Sequence, residues 1–357
     1  MIIVVGAGVA GLAAARRLSM QGQAVTLVAP PERQPSWGET LSERGAQVLT
    51  RLGWESCLDE TVALRSQGRF SVWGNEGLRT VQDEDGQGYL LDKARLEQVL
   101  LERLQKEEKL SLRRTRVLSL EHQPHGLTVR LADGTSLEAA ALIDCSGRAA
   151  VSCGSVAKRQ RLDRLVAAWR VFDLPQGAEP LAASLVEAAE LGWWYLSPMP
   201  GHRLTVALFS DADLLPDALS HDGSTWAGLL ACADAARVRM ESLGLIDQMA
   251  DCAPTVSAAA SATVSHFVEG RLLRAGDAGA AMDPLAANGL ATALWSGSQS
   301  AQAALALTQG NPEPARSYEK DYLLGLVRHL NAQHALYGRE QRYAAQPFWQ
   351  RRHRPLE

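Results

Sequence analysis

Three groups of residues in this chain have types and spacings that suit chemistry. The first is Gly6, Gly8 and Gly11, a G-x-G-x-x-G run within Met1-Ile-Ile-Val-Val-Gly-Ala-Gly-Val-Ala-Gly11. Such glycines serve the pyrophosphate of a dinucleotide: one makes the tight turn, one lets the backbone approach, one lets helix pack on strand. The free N–H groups and dipole of the helix that follows hold the negative charge. The second group is Gly276-Asp277 with Pro284, Asn288 and Gly289, where a strand from Arg271 meets two turns and a long apolar helix opens. The third is Gly192-Trp-Trp-Tyr-Leu-Ser-Pro-Met-Pro200. Trp193 and Tyr195 there suit an aromatic cavity wall, or equally an aromatic strand in a core.

These residues need particular elements to hold them. Ile2–Val5 is a short apolar run, read as a buried strand, and Leu12–Leu18 reads as a helix. Strand, glycines and helix therefore come in the order that a dinucleotide site requires. The second strand is read at Ala24–Val28. An acidic residue normally caps it and holds the adenosine ribose, but Ala29-Pro30-Pro31 stands here, and the nearest carboxylate is Glu32. Either Glu32 reaches back or the ribose is held differently, so modest affinity for the free cofactor is expected.

The segment Arg271–Leu290 resembles the G-D motif of FAD-dependent monooxygenases related to para-hydroxybenzoate hydroxylase. The resemblance implies that Asp277 binds the ribityl chain of FAD. It also implies that the helix after Pro284, starting near Asn288-Gly289, aims its positive end at the flavin N1–C2 carbonyl. Gln34-Pro-Ser-Trp-Gly-Glu-Thr-Leu-Ser42 is similar to a loop that borders the flavin in the branch nearest the halogenases, which places Gly38 and Glu39 near the ring. Leu91–Leu100 resembles a D-R-x-x-L helix start, with Lys93 in place of the usual arginine and Arg95 nearby. Asp144 and Gly147 match a D-A-x-G strand end beside the flavin. Capping is the plainer reading for Ser42 and Asp92.

Gly192–Pro200 resembles the W-x-W-x-I-P motif of flavin-dependent halogenases, here W-x-Y-x-S-P. Those enzymes also carry a lysine in the N-terminal third, whereas this chain has none before Lys93. Asp163–Val166, Asp211-Ala-Asp213 and Tyr337–Arg352 extend the likeness. They point to the branch whose members hydroxylate a tryptophan of an oxidase precursor during maturation of cysteine tryptophylquinone. The implied chemistry is aromatic hydroxylation through a flavin C4a-hydroperoxide. FAD is the cofactor, O₂ the oxidant, and NAD(P)H or a separate flavin reductase the electron source. The substrate is an aromatic ring, with a tryptophan in a partner protein as one candidate. Two rivals stand beside this reading: a halogenase of an aromatic substrate, and a non-catalytic flavoprotein subunit or chaperone for an oxidase precursor. No general base is assigned; Arg65, Arg69, His202 and His266 are polar candidates.

The implied architecture is α/β, with two interleaved domains. A Rossmann-like FAD-binding domain takes residues 1–62, 92–162 and 268–310. An antiparallel-sheet substrate domain takes 63–91 and 163–267, and 311–357 form C-terminal helices. Arg69–Trp73 and Leu204–Phe209 are read as strands, Arg113–Glu121 and Leu127–Leu131 as an antiparallel pair. Asp83-Glu-Asp-Gly86 reads as a solvated turn, not a metal site. At 357 residues with 46% apolar content, the chain can bury a sizeable core. Its net charge of −4 gives no electrostatic case for nucleic acid. The five cysteines are scattered without metal or redox spacing, which suits reduced thiols in a cytoplasm. No secretory signal is expected before a strand that begins at Ile2, and polar residues break the uncharged run from Pro284 to Pro312 too often for a membrane span. The basic tail Gln350–Arg354 is read as a solvated terminus.

Overall fold

The computed structural model describes residues 1–32, 37–81, 86–154 and 157–354. The acidic turn at Asp83–Asp85 and the start of the Gln34–Ser42 loop lie outside them. Helices in chain order are α1 (Val9–Met20), α2 (Glu43–Arg51), α3 (Lys93–Leu104), α4 (Gly223–Leu230), α5 (Asp234–Ser242), α6 (Ile246–Ala250), α7 (Gly289–Thr308), α8 (Glu313–Gly338) and α9 (Pro347–Arg352). No helix among the described residues is long and apolar enough to cross a membrane.

Ile2–Val5 is buried at every position and lies inside a six-stranded sheet. Val25–Ala29 and Ala141–Asp144 flank it in parallel register, with Leu110–Arg114 and Leu272–Arg274 outside them, also parallel. Val268–Glu269 closes one edge antiparallel. Strands buried on both faces need largely apolar runs; Ile2–Val5, Val25–Ala29 and Ala141–Asp144 have them and are buried at every position, whereas the edge strand Leu110–Arg114 is partly exposed. The small residues of α1, Ala13, Ala14 and Ala15, are fully buried and let that helix lie close between sheet and α7. Gly6 makes the turn between strand and helix at φ +103°, where a side chain is strained and a Cβ would stand 2.2 Å from the Cys145 carbonyl oxygen. A Cβ on Gly11 would stand 1.8 Å from the Gly6 carbonyl oxygen.

A second sheet of seven strands runs Thr255–Ala258, Leu165–Asp173, Arg203–Asp211, Gly192–Met199, Ser184–Ala189, Arg69–Val72, Arg79–Val81. Its neighbours are antiparallel except Ser184–Ala189 with Arg69–Val72. Alternation along the strand sends Trp193 and Trp194 to opposite faces. Trp194 packs on Trp226 of α4, at 6.1 Å between ring centroids, within a core closed by α4, α5 and α6. Trp193 stacks on Phe209 at 4.0 Å on the other face, against Tyr337 and Trp349 of the C-terminal helices. Between the large sheets, Gly38–Leu41 pairs with Tyr89–Asp92, which pairs with Ala63–Arg65.

Two expectations are corrected. Arg113–Glu121 is not one strand: Leu110–Arg114 ends in the parallel sheet, and Val117–Gln123 forms an antiparallel sheet with Gly126–Leu131 and Ser136–Ala139. Nor is the basic tail wholly solvated: Gln350 and Arg354 are exposed, but two arginines between them are not free. Arg351 and Arg352 hold the buried Asp211 carboxylate at 2.7 and 2.8 Å, and Arg351 also holds Asp213 at 2.7 Å. The cations return the tail to the end of the Arg203–Asp211 strand and bury Phe348 and Trp349 beneath them.

Gly11→Ala is expected to destabilise the apoprotein by more than about 2 kcal/mol in urea unfolding, because backbone must move to admit the methyl group. Asp211→Asn leaves two arginines without their buried counter-charge. It should cost about 3 kcal/mol and open the tail to limited proteolysis at 339–354.

Candidate active site

A cleft of about 790 Å³ lies where the parallel strands end and the seven-stranded sheet begins. Open parallel sheets bind ligands at the carboxyl ends of their strands, and this cleft takes Val5–Ala10, Val28–Pro30 and Cys145–Ala149 from three of them.

At one end, Gly6 and Gly8 face the cleft at the N-terminus of α1. A Cβ on Gly8 would meet only Glu97 Oε1, at 3.5 Å, so protein packing leaves room there. Gly11 lines nothing; its place is against Gly6. Glu32 stands at the rim, exposed, with its carboxylate 3.0 Å from Arg116. Ala29 is buried and offers no polar group. Arg114, Thr115, Arg116 and Arg148 also line this end and escaped the sequence reading.

In the middle, Asp277 lines the cleft with its carboxylate 3.5 Å from Arg148, while Arg159 donates to its carbonyl at 3.1 Å. The N-terminus of α7 opens into the same space through Gly289, where a Cβ would meet nothing within 4 Å. Asn288 does not line it: it is exposed and makes no side-chain cap. Arg95 is displaced as well. Asp92 caps α3 through the Arg95 N–H at 3.0 Å, and the helix turns Lys93 and Glu97, one turn apart, to the cleft instead. Lys93 donates to Glu39 at 2.7 Å. Burial pulls its ammonium down, but the carboxylates of Glu39 and Glu97 push it above its ordinary range.

At the far end stand Gly38, Glu39, Trp37, Trp193, Tyr195, Phe209 and Pro284. Gly38 donates its N–H to Thr205 at 2.8 Å, and a Cβ there would strike Met199 at 2.6 Å. Tyr195 shares a hydrogen bond with Thr40 at 3.2 Å, and burial pushes its phenol up, so it stays protonated. Trp193 is both wall and core: its ring is 1% exposed, and its indole N–H donates to Tyr337 at 3.0 Å. Arg69 is the one polar candidate of four that reaches the cleft; Arg65 pairs with Glu43 at 3.0 Å, and His202 and His266 lie elsewhere.

The sequence reading passed over Asp283. It lines the cleft beside Pro284, 2% exposed, and accepts from the Leu285 N–H at 2.8 Å, Tyr337 at 2.8 Å and Gln333 at 3.1 Å. Burial pushes its carboxyl up to about 6, against the pull of the Leu285 N–H and of Arg352. The Asp-Pro pair was the available signal, read only as the turn before a helix.

The open space over Gly8 and Gly289, each at a helix N-terminus, fits a long anionic dinucleotide. A family model described as lycopene cyclase protein matches residues 1–166. LodB of Marinomonas mediterranea, named as an FAD-dependent oxidoreductase, is 24% identical over 98% of this chain and 96% of its own. The solved structure of the peptidyl tryptophan dihydroxylase QhpG, described as essential for tryptophylquinone cofactor biogenesis, superposes with a TM-score of 0.75. It is 26% identical and covers 100% of this chain and 80% of that one. The myxobacterial chondrochloren halogenase CndH shares the fold at a TM-score of 0.80 and 20% identity, over 98% and 85% of the two chains. The chain is thus an FAD-dependent oxidoreductase built on the fold of the flavin monooxygenases and halogenases.

Proposed function

We propose that the protein is a monooxygenase that hydroxylates an electron-rich aromatic ring, and that the ring is a tryptophan indole carried by a partner protein. One observation carries the reading: a single cleft joins the glycine-lined helix N-termini to the aromatic face formed by Trp37, Trp193, Tyr195 and Phe209. Likeness to QhpG over the whole of this chain supports the peptidyl substrate.

Residues 1–62, 92–162 and 268–310 supply the cofactor side, and 63–91 with 163–267 the substrate side. Gly6 and Gly8 at the start of α1 would hold the pyrophosphate, and Arg148 adds charge there. Asp277 would accept from the ribityl hydroxyls. Gly289 would let the N-terminus of α7 approach a bound flavin and stabilise the negative charge it gains on reduction. Bound FAD supplies the chemistry: with electrons from NAD(P)H or a flavin reductase it activates O₂, so that one oxygen atom enters the ring and the other becomes water.

The chain's own work is positional. The Trp193–Phe209 stack gives the ring a flat floor, and Tyr195, fixed by Thr40, gives it a polar edge. Pro284 and Leu285 close the flavin side. Apolar walls keep water from the reacting atoms. Halogenation fits less well, because Tyr195 stands where a second tryptophan is expected and Lys93 is bound to Glu39.

Gly8→Ala separates cofactor from fold. Its methyl group has room in the protein but intrudes on the pyrophosphate, so FAD affinity should fall at least about tenfold, roughly 1.4 kcal/mol, with the apoprotein's thermal midpoint unchanged. Activity is tested with FAD-loaded protein, NAD(P)H or a flavin reductase, O₂ and tryptophan-containing peptides, the products read by mass spectrometry. One added oxygen atom, independent of halide, is expected. Halide-dependent substitution would establish the halogenase instead. Electron transfer without product from peptides or free aromatics would leave a cofactor-binding subunit.

A further inference from the structure

The cleft is lined by five carboxylates, and four have evident work. Glu32 pairs with Arg116, Glu39 with Lys93 and Asp277 with Arg148, while Glu97 lies over Gly8 at the dinucleotide end. Asp283 differs. Its hydrogen-bond partners are the neutral Leu285 N–H, Tyr337 hydroxyl and Gln333 amide. Tyr337 accepts in turn from the indole N–H of Trp193, so a chain of three groups joins the floor of the aromatic end to this carboxylate.

We propose that Asp283 is the proton acceptor of the cleft, taking the hydrogen that the substrate ring gives up once oxygen has been added. Gln333 and Tyr337 are positioning residues that fix its carboxylate. The inference rests on the hydroxylation reading above. Overall, O₂ and the two electrons of the reduced cofactor deliver one oxygen atom to the ring and one to water. At the ring, the new C–O bond uses a π electron pair, so the ring is cationic until the C–H pair at that carbon returns to it and the hydrogen leaves as a proton. A buried anion beside the ring lowers the energy of that cation and accepts the proton. Asp283 then releases it to solvent as product departs.

The surroundings suit an acid–base role. Burial raises the carboxyl to about 6, close to the pH at which a base must work, while the Leu285 N–H and Arg352 hold it down from going further. Arg352 of α9 lies behind Tyr337, 5.2 Å from its ring, and Asp163 adds a distant negative charge. His329, one turn before Gln333 on α8, is kept neutral by burial and has no hydrogen-bond partner on either nitrogen. Tyr195 is a poor competitor, since its phenol holds its proton too firmly.

The test uses Asp283→Asn and Tyr337→Phe. In the apoprotein, a carboxyl with a raised pKa binds its proton better folded than unfolded. Native stability should therefore fall relative to Asp283→Asn as pH rises from about 4 to about 6. A constant difference across that window overturns the proposal. With FAD bound equally well by native protein and variants, a tryptophan peptide deuterated on the indole carbons is then turned over. Native enzyme should show little isotope effect, because oxygen transfer is slower than proton loss. Asp283→Asn should be slowed about a hundredfold and acquire a primary isotope effect. Tyr337→Phe should shift the pH–rate profile with a smaller loss. Hydroxylation by Asp283→Asn at the native rate without an isotope effect sinks the inference and leaves the hydroxylase reading standing. Absence of hydroxylated product from native enzyme removes both.

Discussion

Everything at the cleft depends on one backbone contact, that of α1 with α7. A Cβ on Gly297 of α7 would stand 2.1 Å from the Ala10 carbonyl oxygen of α1, so only glycine lets the two helices meet this closely. Ser296, next to it, accepts from the Gly276 N–H at 2.9 Å and ties the Gly276-Asp277 turn to the same junction. The contact brings together segments from opposite ends of the chain. Both helix N-termini then open into one cleft, and their unsatisfied N–H groups make it attractive to an extended anion along its length.

The elements that carry that junction were legible in the sequence, because each is specified locally. An apolar strand, three glycines and a helix are read in order, and so is the G-D turn before α7. Partners are a different matter. Asp211-Ala-Asp213 and the arginine-rich tail were seen as separate signals, and their ion pairs appear only when the chain folds back over them. Arg113–Glu121 reads as one strand because extended periodicity carries no record of which sheet each half joins. Arg95 was favoured over Lys93 on chemical type, whereas the phase of α3, set by the Asp92 cap, decides which residues face inward. Asp283 was missed for the same reason. Its significance comes from Gln333 and Tyr337, about fifty residues away on α8.

Pairing is what separates the carboxylates of the cleft. From the dinucleotide end to the edge of the aromatic end, carboxylates meet cations: Glu32 with Arg116, Asp277 with Arg148, Glu39 with Lys93. Such pairs put cationic groups at hand for phosphates. At the aromatic end no cation among the described residues touches Asp283, and burial works on it without a direct ion pair to oppose it. Two populations of carboxylates thus follow from placement alone, one paired with cations and one pushed by burial toward taking a proton.

The missing ribose acid belongs to the same balance. Ala29 closes its strand without a polar group, and Glu32 is turned to Arg116 in an exposed pair, which contributes little on its own. Under the proposed reading, the groups left to bind the dinucleotide are the two helix N-termini and Arg148, which line the rest of the cleft. A strand end without a carboxylate and a rigid pair of helix N-termini are compatible in one cleft, because the Ala10–Gly297 junction fixes the helices and does not involve Ala29 or Glu32.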